Sequence, residues 1–199
     1  NEKLVLKPAR GAMGNGTLVL TGRRDGGFVR AGGRLLDETD LVYHAAQIVF
    51  KAEAGLGRSE VYIADFDGYG PVPATRDGSI VANPGWVDKG SIVYSSYKLG
   101  NPSVFSQDLG TGSRRTVARQ PGDNYSPAVS RDGRRVAMIL NKNGSPDLYV
   151  ANVDGTGLTQ LTRTREAESS PCWSPDNRTI CFASRVGRGI FTISADGGA

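Results

Sequence analysis

The sequence predicts an all-β fold, and three observations carry that expectation. Glycine and proline are abundant, 27 and 10 of 199 residues, which suits short strands joined by tight turns rather than helices. An apolar triplet recurs every 44 residues, as Ile48-Val49-Phe50, Ile92-Val93-Tyr94, Val136-Ala137-Met138 and Ile180-Cys181-Phe182. Two further markers keep step with it. Val61-Tyr62-Ile63, Val104-Phe105-Ser106, Leu148-Tyr149-Val150 and Phe191-Thr192-Ile193 each run into an Asp-containing turn, and Pro84, Pro127 and Pro171 each precede a later Asp turn at Asp88, Asp132 and Asp176.

Residues 1–45 lack the repeat and read as a short amino-terminal α+β segment, or as strands that close a ring. Gly14-Asn15-Gly16 and Asp25-Gly26-Gly27 bracket a strand at Thr17 to Thr21, and Phe28 to Leu36 would be its hairpin partner. Asp37 to Ala46 has weak helical character. From residue 46 to 199 the repeat takes over. Within one unit strand A is read at 171 to 174, B at 180 to 184, C at 147 to 152 and D at 158 to 162, each bounded by Gly, Asp, Asn or Pro.

A period near 44 with four short strands per unit is the pattern of β-propeller blades, four-stranded antiparallel sheets that bury their faces against one another. About four blades fit into the chain. Trp86 and Trp173, at equivalent places in strand A, are expected to pack between blades, as are Tyr62 and Tyr149 on strand C. The first unit starts at its B strand and the last stops at its C strand. Either the amino-terminal segment completes a small ring or the chain is a fragment of a longer one, and the fragment is the preferred expectation.

The stretch Ser126-Pro127-Ala128-Val129-Ser130-Arg131-Asp132-Gly133, its counterpart Ser170-Pro171-Cys172-Trp173-Ser174-Pro175-Asp176-Asn177, and Asp147 to Gly155 with Leu158 to Thr162 resemble the repeats of the TolB-type β-propeller family. Asp65-Phe66-Asp67-Gly68-Tyr69 looks like a turn in the first blade of its Tol-Pal members. The similarity covers residues 44 to 198, and the family's full ring has six blades. The resemblance implies a periplasmic adaptor of the Tol-Pal cell-envelope system that binds the peptidoglycan-associated lipoprotein Pal and supports outer-membrane integrity and cell division. TolA and colicins are further partners that it implies. Two other classes stay open at this point: the propeller of a larger peptidase or hydrolase, and a sensor or ligand-binding propeller.

Composition narrows the chemistry. The net charge of +4 comes from 24 basic and 20 acidic residues with Arg scattered along the chain, which reads as a solvated surface and not a polyanion site. No apolar run reaches the roughly 18 to 20 residues of a membrane helix. The chain opens Asn1-Glu2-Lys3, so any export signal is expected to have been removed before this numbering begins. Cys172 and Cys181 read as two buried thiols on neighbouring strands, with a strained disulfide as the alternative. His44 is the sole histidine and stands outside the repeat. No nucleophile elbow, phosphate-binding loop or metal-ligand spacing occurs, so neither a catalytic residue nor a cofactor is assigned. Calcium held by oxygens from several blades in the central channel is the metal alternative.

The A-to-B and C-to-D turns keep the repeat pattern, whereas the D-to-A and B-to-C loops differ from copy to copy. Binding residues concentrate on variable loops held by a rigid scaffold. The candidate protein-binding residues are therefore Val81, Ala82 and Asn83, then Asp123, Asn124 and Tyr125, and finally Glu168, Ser169 and Ser170. Arg163, Arg165, Arg185 and Arg188 are read as a basic rim.

Overall fold

The computed structural model describes residues 47–65, 70–185 and 188–197, together with the backbone of four strands nearer the amino terminus. Those four, β1 (Leu4–Leu6), β2 (Leu18–Arg24), β3 (Gly27–Arg30) and β4 (Leu35–Leu36), form an antiparallel sheet in sequence order, with β2 and β3 as the expected hairpin. The helical stretch expected at 37 to 46, His44 and the turn at residues 66 to 69 fall outside the described residues. No helix occurs among the described residues, and hence none long and apolar enough to cross a membrane.

The repeat folds as a partial β-propeller. Blade one comprises β5 (Gln47–Glu53), β6 (Ser59–Asp65) and β7 (Val72–Pro73), which fill the B, C and D places. Blade two has all four strands: β8 (Val81–Trp86), β9 (Ser91–Ser96), β10 (Ser103–Asp108) and β11 (Arg114–Ala118). Blade three repeats that order with β12 (Asn124–Val129), β13 (Arg135–Leu140), β14 (Asp147–Asn152) and β15 (Thr159–Gln160). Blade four contributes β16 (Glu168–Trp173), β17 (Thr179–Ser184) and β18 (Gly189–Ser194). Every neighbouring pair is antiparallel.

Strand alternation explains how one run of apolar residues serves two interfaces. In β13, Val136, Met138 and Leu140 join Val93, Val104 and Val117 between blades two and three. Ala137 and Ile139, pointing the other way, join Leu148, Trp173, Ile180 and Phe182 between blades three and four. β9 splits likewise, with Ile92 and Tyr94 packed toward blade one beside Val61 and Phe105. A strand buried on both faces reads as an unbroken apolar run, which is why the triplets stood out. Trp173 and Tyr149 lie between blades as expected, and Trp86 packs at the boundary of blades one and two. The Trp173 indole N–H also donates to the Ala128 carbonyl across the interface, at 2.8 Å. Tyr62 stacks on Phe50, with ring centroids 5.9 Å apart.

The A-to-B turns build themselves from Ser-x-Asp. The Ser130 hydroxyl donates to Asp132 at 2.6 Å and Ser174 donates to Asp176 at 2.5 Å, while the amides of Arg134 and Arg178 close on the same carboxylates. Those bonds hold both carboxyls below the usual range, the serine hydroxyl contributing most. Cys172 and Cys181 face each other across β16 and β17 as free, half-buried thiols, and burial pushes the Cys172 thiol up.

One expectation is corrected. Strand A begins three residues earlier than read, at Val81, Asn124 and Glu168, so Pro84, Pro127 and Pro171 stand inside it. Each inner strand carries a bulge: the register with its B strand shifts between Ala82 and Gly85, Tyr125 and Ala128, and Ser169 and Cys172. A proline lacks the N–H of a regular ladder residue, and the bulge is where none is required.

Candidate protein-binding face

The D-to-A and B-to-C loops come together on one side of the blades through backbone hydrogen bonds. Ser59 N donates to Ser79 O, Tyr97 N to Ile80 O, Asn124 N to Pro102 O, Asn141 N to Asp123 O and Glu168 N to Pro146 O, at 2.8 to 3.0 Å. The two loop types are therefore one connected surface. The opposite side carries the tight A-to-B and C-to-D turns.

Eight of the nine predicted residues lie in the first turns of the inner strands, and Asp123 alone is a loop residue. Counting back from the proline shows the equivalent triplets to be Val81-Ala82-Asn83, Asn124-Tyr125-Ser126 and Glu168-Ser169-Ser170. The middle set was thus read one residue early and missed Ser126. Asn83, Ser126 and Ser170 share a left-handed backbone, with φ of 51, 52 and 52, and each is the residue before the bulge proline. The prolines themselves are the signal that would have aligned the sets.

Burial divides the nine. Val81, Asn124 and Glu168, at equivalent positions, are buried, while Ser169 and Ser170 are exposed and the other four are half-buried. Asn124 braces its own loop, accepting from Gln120 N at 2.9 Å and donating to the carbonyls of Gln120 and Gly122. Glu168 accepts through Oε1 from the hydroxyls of Thr164 and Ser184, and its Oε2 is buried with no protein partner among the described residues. Tyr125 has its phenol pushed up by burial and then by the nearby Asp123 and Tyr97, which draws these three side chains into one neighbourhood.

A second device holds the loops, and sequence reading did not find it. Glu60, at the start of the C strand of blade one, accepts from the Thr75 hydroxyl and from the amides of Asp77 and Gly78 at 3.0 and 2.7 Å. In turn Thr75 Oγ1 accepts from Val61 N. Blade three repeats the pattern: Asp147 meets Thr162 and the amide of Thr164, and Thr162 Oγ1 accepts from Leu148 N. The acid and the threonine stand 15 residues apart in both copies, a shared spacing that is its signature. Burial would raise the Glu60 carboxyl, but the hydrogen bonds from Thr75, Asp77 and Gly78 with the charge of Lys98 hold it below its ordinary value.

On the rim between blades one and two lies a cleft of about 310 Å³, lined by Arg76, Asp77, Lys98, Gln107 and Arg114 among others. Asp77 is tied down within it by Arg114 at 2.8 Å, by the Ser96 hydroxyl at 2.5 Å and by Lys98 at 4.0 Å. Arg114 also lies over the Phe105 ring, 4.3 Å from its centroid. Burial pushes the neighbouring Tyr94 phenol up to about 12. Among the described residues no group of three or more His, Cys, Asp or Glu side chains gathers as a metal site would require.

A family model described as the TolB beta propeller domain matches residues 39–199. The Tol-Pal system protein TolB of Desulfosudis oleivorans is 34% identical over 111 residues, a stretch covering 55% of this chain and 25% of that protein. Thus the match spans about a quarter of the relative's length. Among solved structures, TolB from Acinetobacter baumannii is similar with a TM-score of 0.68 at 20% identity, over 90% of this chain and 55% of the other. A structure described as putative TolB from Agrobacterium tumefaciens gives 0.74 at 19% identity, over 99% and 79%. At those identities the two structures speak for the fold alone.

Proposed function

Because the chain belongs to the TolB beta propeller domain family, we propose that it is a non-catalytic protein-binding module of the Tol-Pal cell-envelope system, acting in the periplasm with the lipoprotein Pal as its partner. The observation that carries this reading is the stitched loop face, where each D-to-A loop among the described residues is bonded to a B-to-C loop before any partner arrives. A preordered surface of this kind loses little conformational entropy on binding.

Within it, Ser169, Ser170, Ala82, Asn83, Asp123 and Tyr125 are the residues offered to the partner. Val81, Asn124 and Glu168 act beneath them by fixing the start of each inner strand. Binding by such a module supports outer-membrane integrity and cell division through the assembly it joins. Titration calorimetry of this chain with the soluble domain of Pal tests the reading. Saturable binding is expected, weakened by Ser170→Trp and Tyr125→Ala; a folded chain that gives no binding heat overturns it.

A further inference from the structure

Sorting the charged side chains by the side of the blade they occupy reveals a bias hidden in the near-balanced composition. On the loop side the B-to-C connections expose Arg58, Lys98, Lys142 and Arg185, and the D-to-A connections expose Arg76, Arg119, Arg163 and Arg165. Accessible acids there are Glu53 next to the first connection, the half-buried Asp123, and Glu166. Asp77 adds little, since its side chain is 6% exposed and already paired. On the turn side the aspartates at 65, 88, 108, 132, 154, 176 and 196 stand against Lys89, Arg115, Arg131, Arg134, Arg135 and Arg178. The excess positive charge therefore belongs to the loop side.

Exposed apolar side chains share that side at blades one and two, and again at Ile190 beside the B-to-C loop of blade four. Ile80, Tyr97 and Leu99 are 44%, 41% and 44% exposed, and Leu56 is 89% exposed. Tyr97 and Ile80 are neighbours through the bond from Tyr97 N to Ile80 O, Leu99 lies in the same loop as Tyr97, and the bond from Ser59 N to Ser79 O joins the end of the Leu56 loop to the residue before Ile80. Leu56 crowns a turn closed by Ala54 N to Arg58 O, and its own φ is 52 between two glycines that are also left-handed. A leucine in that conformation is strained, and here it gains nothing in return from burial within the fold.

We propose that the loop face of blades one and two docks an acidic protein segment, with Leu56, Ile80, Tyr97 and Leu99 covered by its apolar side chains and Arg58, Arg76 and Lys98 paired with its carboxylates. The inference rests on the reading of this face as protein-binding and adds the chemistry of the partner. An apolar centre with an arginine-bearing rim is the anatomy of a protein interface. A phosphate or sulfate polymer would leave those four side chains without a counterpart. Three of the four are more than half covered by their own loops, which makes a low patch for a complementary surface instead of wedges that reach about 5 to 10 Å into a bilayer.

The experiment titrates the chain with a random Glu/Tyr copolymer, with polyglutamate, with heparin and with phosphatidylglycerol vesicles. The copolymer is expected to bind more tightly than the other three. Arg58→Glu/Arg76→Glu/Lys98→Glu should weaken it about ten-fold and Leu56→Ser a few-fold, while Lys89→Glu/Arg131→Glu/Arg178→Glu on the turn side leaves it unchanged. Tighter binding to heparin or vesicles, an equal loss in the turn-side variant, or no copolymer binding overturns the inference. The same variants separate it from the partner assignment. Pal bound equally well by the Arg58/Arg76/Lys98 variant removes the acidic-segment docking and leaves the Pal reading; face-dependent copolymer binding without any Pal binding does the reverse.

Discussion

At Gly133 the backbone turns with φ +72, and a Cβ there would stand 2.6 Å from the Val87 carbonyl oxygen in blade two. The turn needs a left-handed residue, and the neighbouring blade leaves it no side-chain room. Gly133→Ala should therefore destabilise by more than about 2 kcal/mol, the sum of left-handed strain and the clash, as read from the urea midpoint. In blade four the same place is taken by Asn177, with φ 60, which instead reaches across to accept from Arg131 N at 2.8 Å. Trp173 shows a comparable dependence on its neighbour. Trp173→Phe keeps most of the packing but strands the Ala128 carbonyl, and a loss of about 1 to 3 kcal/mol is expected in the same measurement.

Among elements, β13 has the clearest division of labour, since adjacent residues belong to different interfaces. Met138→Ala and Ile139→Ala should each cost about 2 to 5 kcal/mol by leaving cavities. Neighbours in one strand usually couple through their backbone, but these side chains enter different clusters, so a coupling energy below about 1 kcal/mol is expected in the double-mutant cycle, and a larger one would mean the two interfaces are not separate. This strand was legible in sequence because burial on both faces gives an unbroken apolar run. The beginnings of the inner strands were not. Asn124 and Glu168 are polar yet buried, and the bulge at Ser126 and Ser170 breaks the alternation that a strand would otherwise announce. The residues expected in loops thus lie, Asp123 excepted, at the beginnings of the inner strands.

For the whole molecule, pH is the simplest lever. Glu60, Asp108, Asp132, Asp154 and Asp176 all have carboxyls held below their ordinary values of 4.5 and 3.8, by hydrogen bonds that exist only in the fold. Groups depressed on folding contribute their stability above the unfolded value and lose it as pH falls through the folded one. The melting temperature should thus be flat down to about pH 5 and then decline, with Glu60→Gln less stable at neutral pH but less sensitive to acid; thermal melts followed by circular dichroism would check both. The sidedness of charge is likewise a property of the whole. It was obscured in the sequence because Arg is scattered along the chain, and it emerges only when topology sends alternate connections to opposite ends of the strands.

The double-sided packing of the middle blades also bears on how the molecule opens. Among the described residues, blades one and four each take part in one apolar cluster, but β9 or β13 cannot leave without exposing two. Amide protons should consequently exchange with deuterium in a graded order, slowest in those two strands and faster in the sheets of blades one and four.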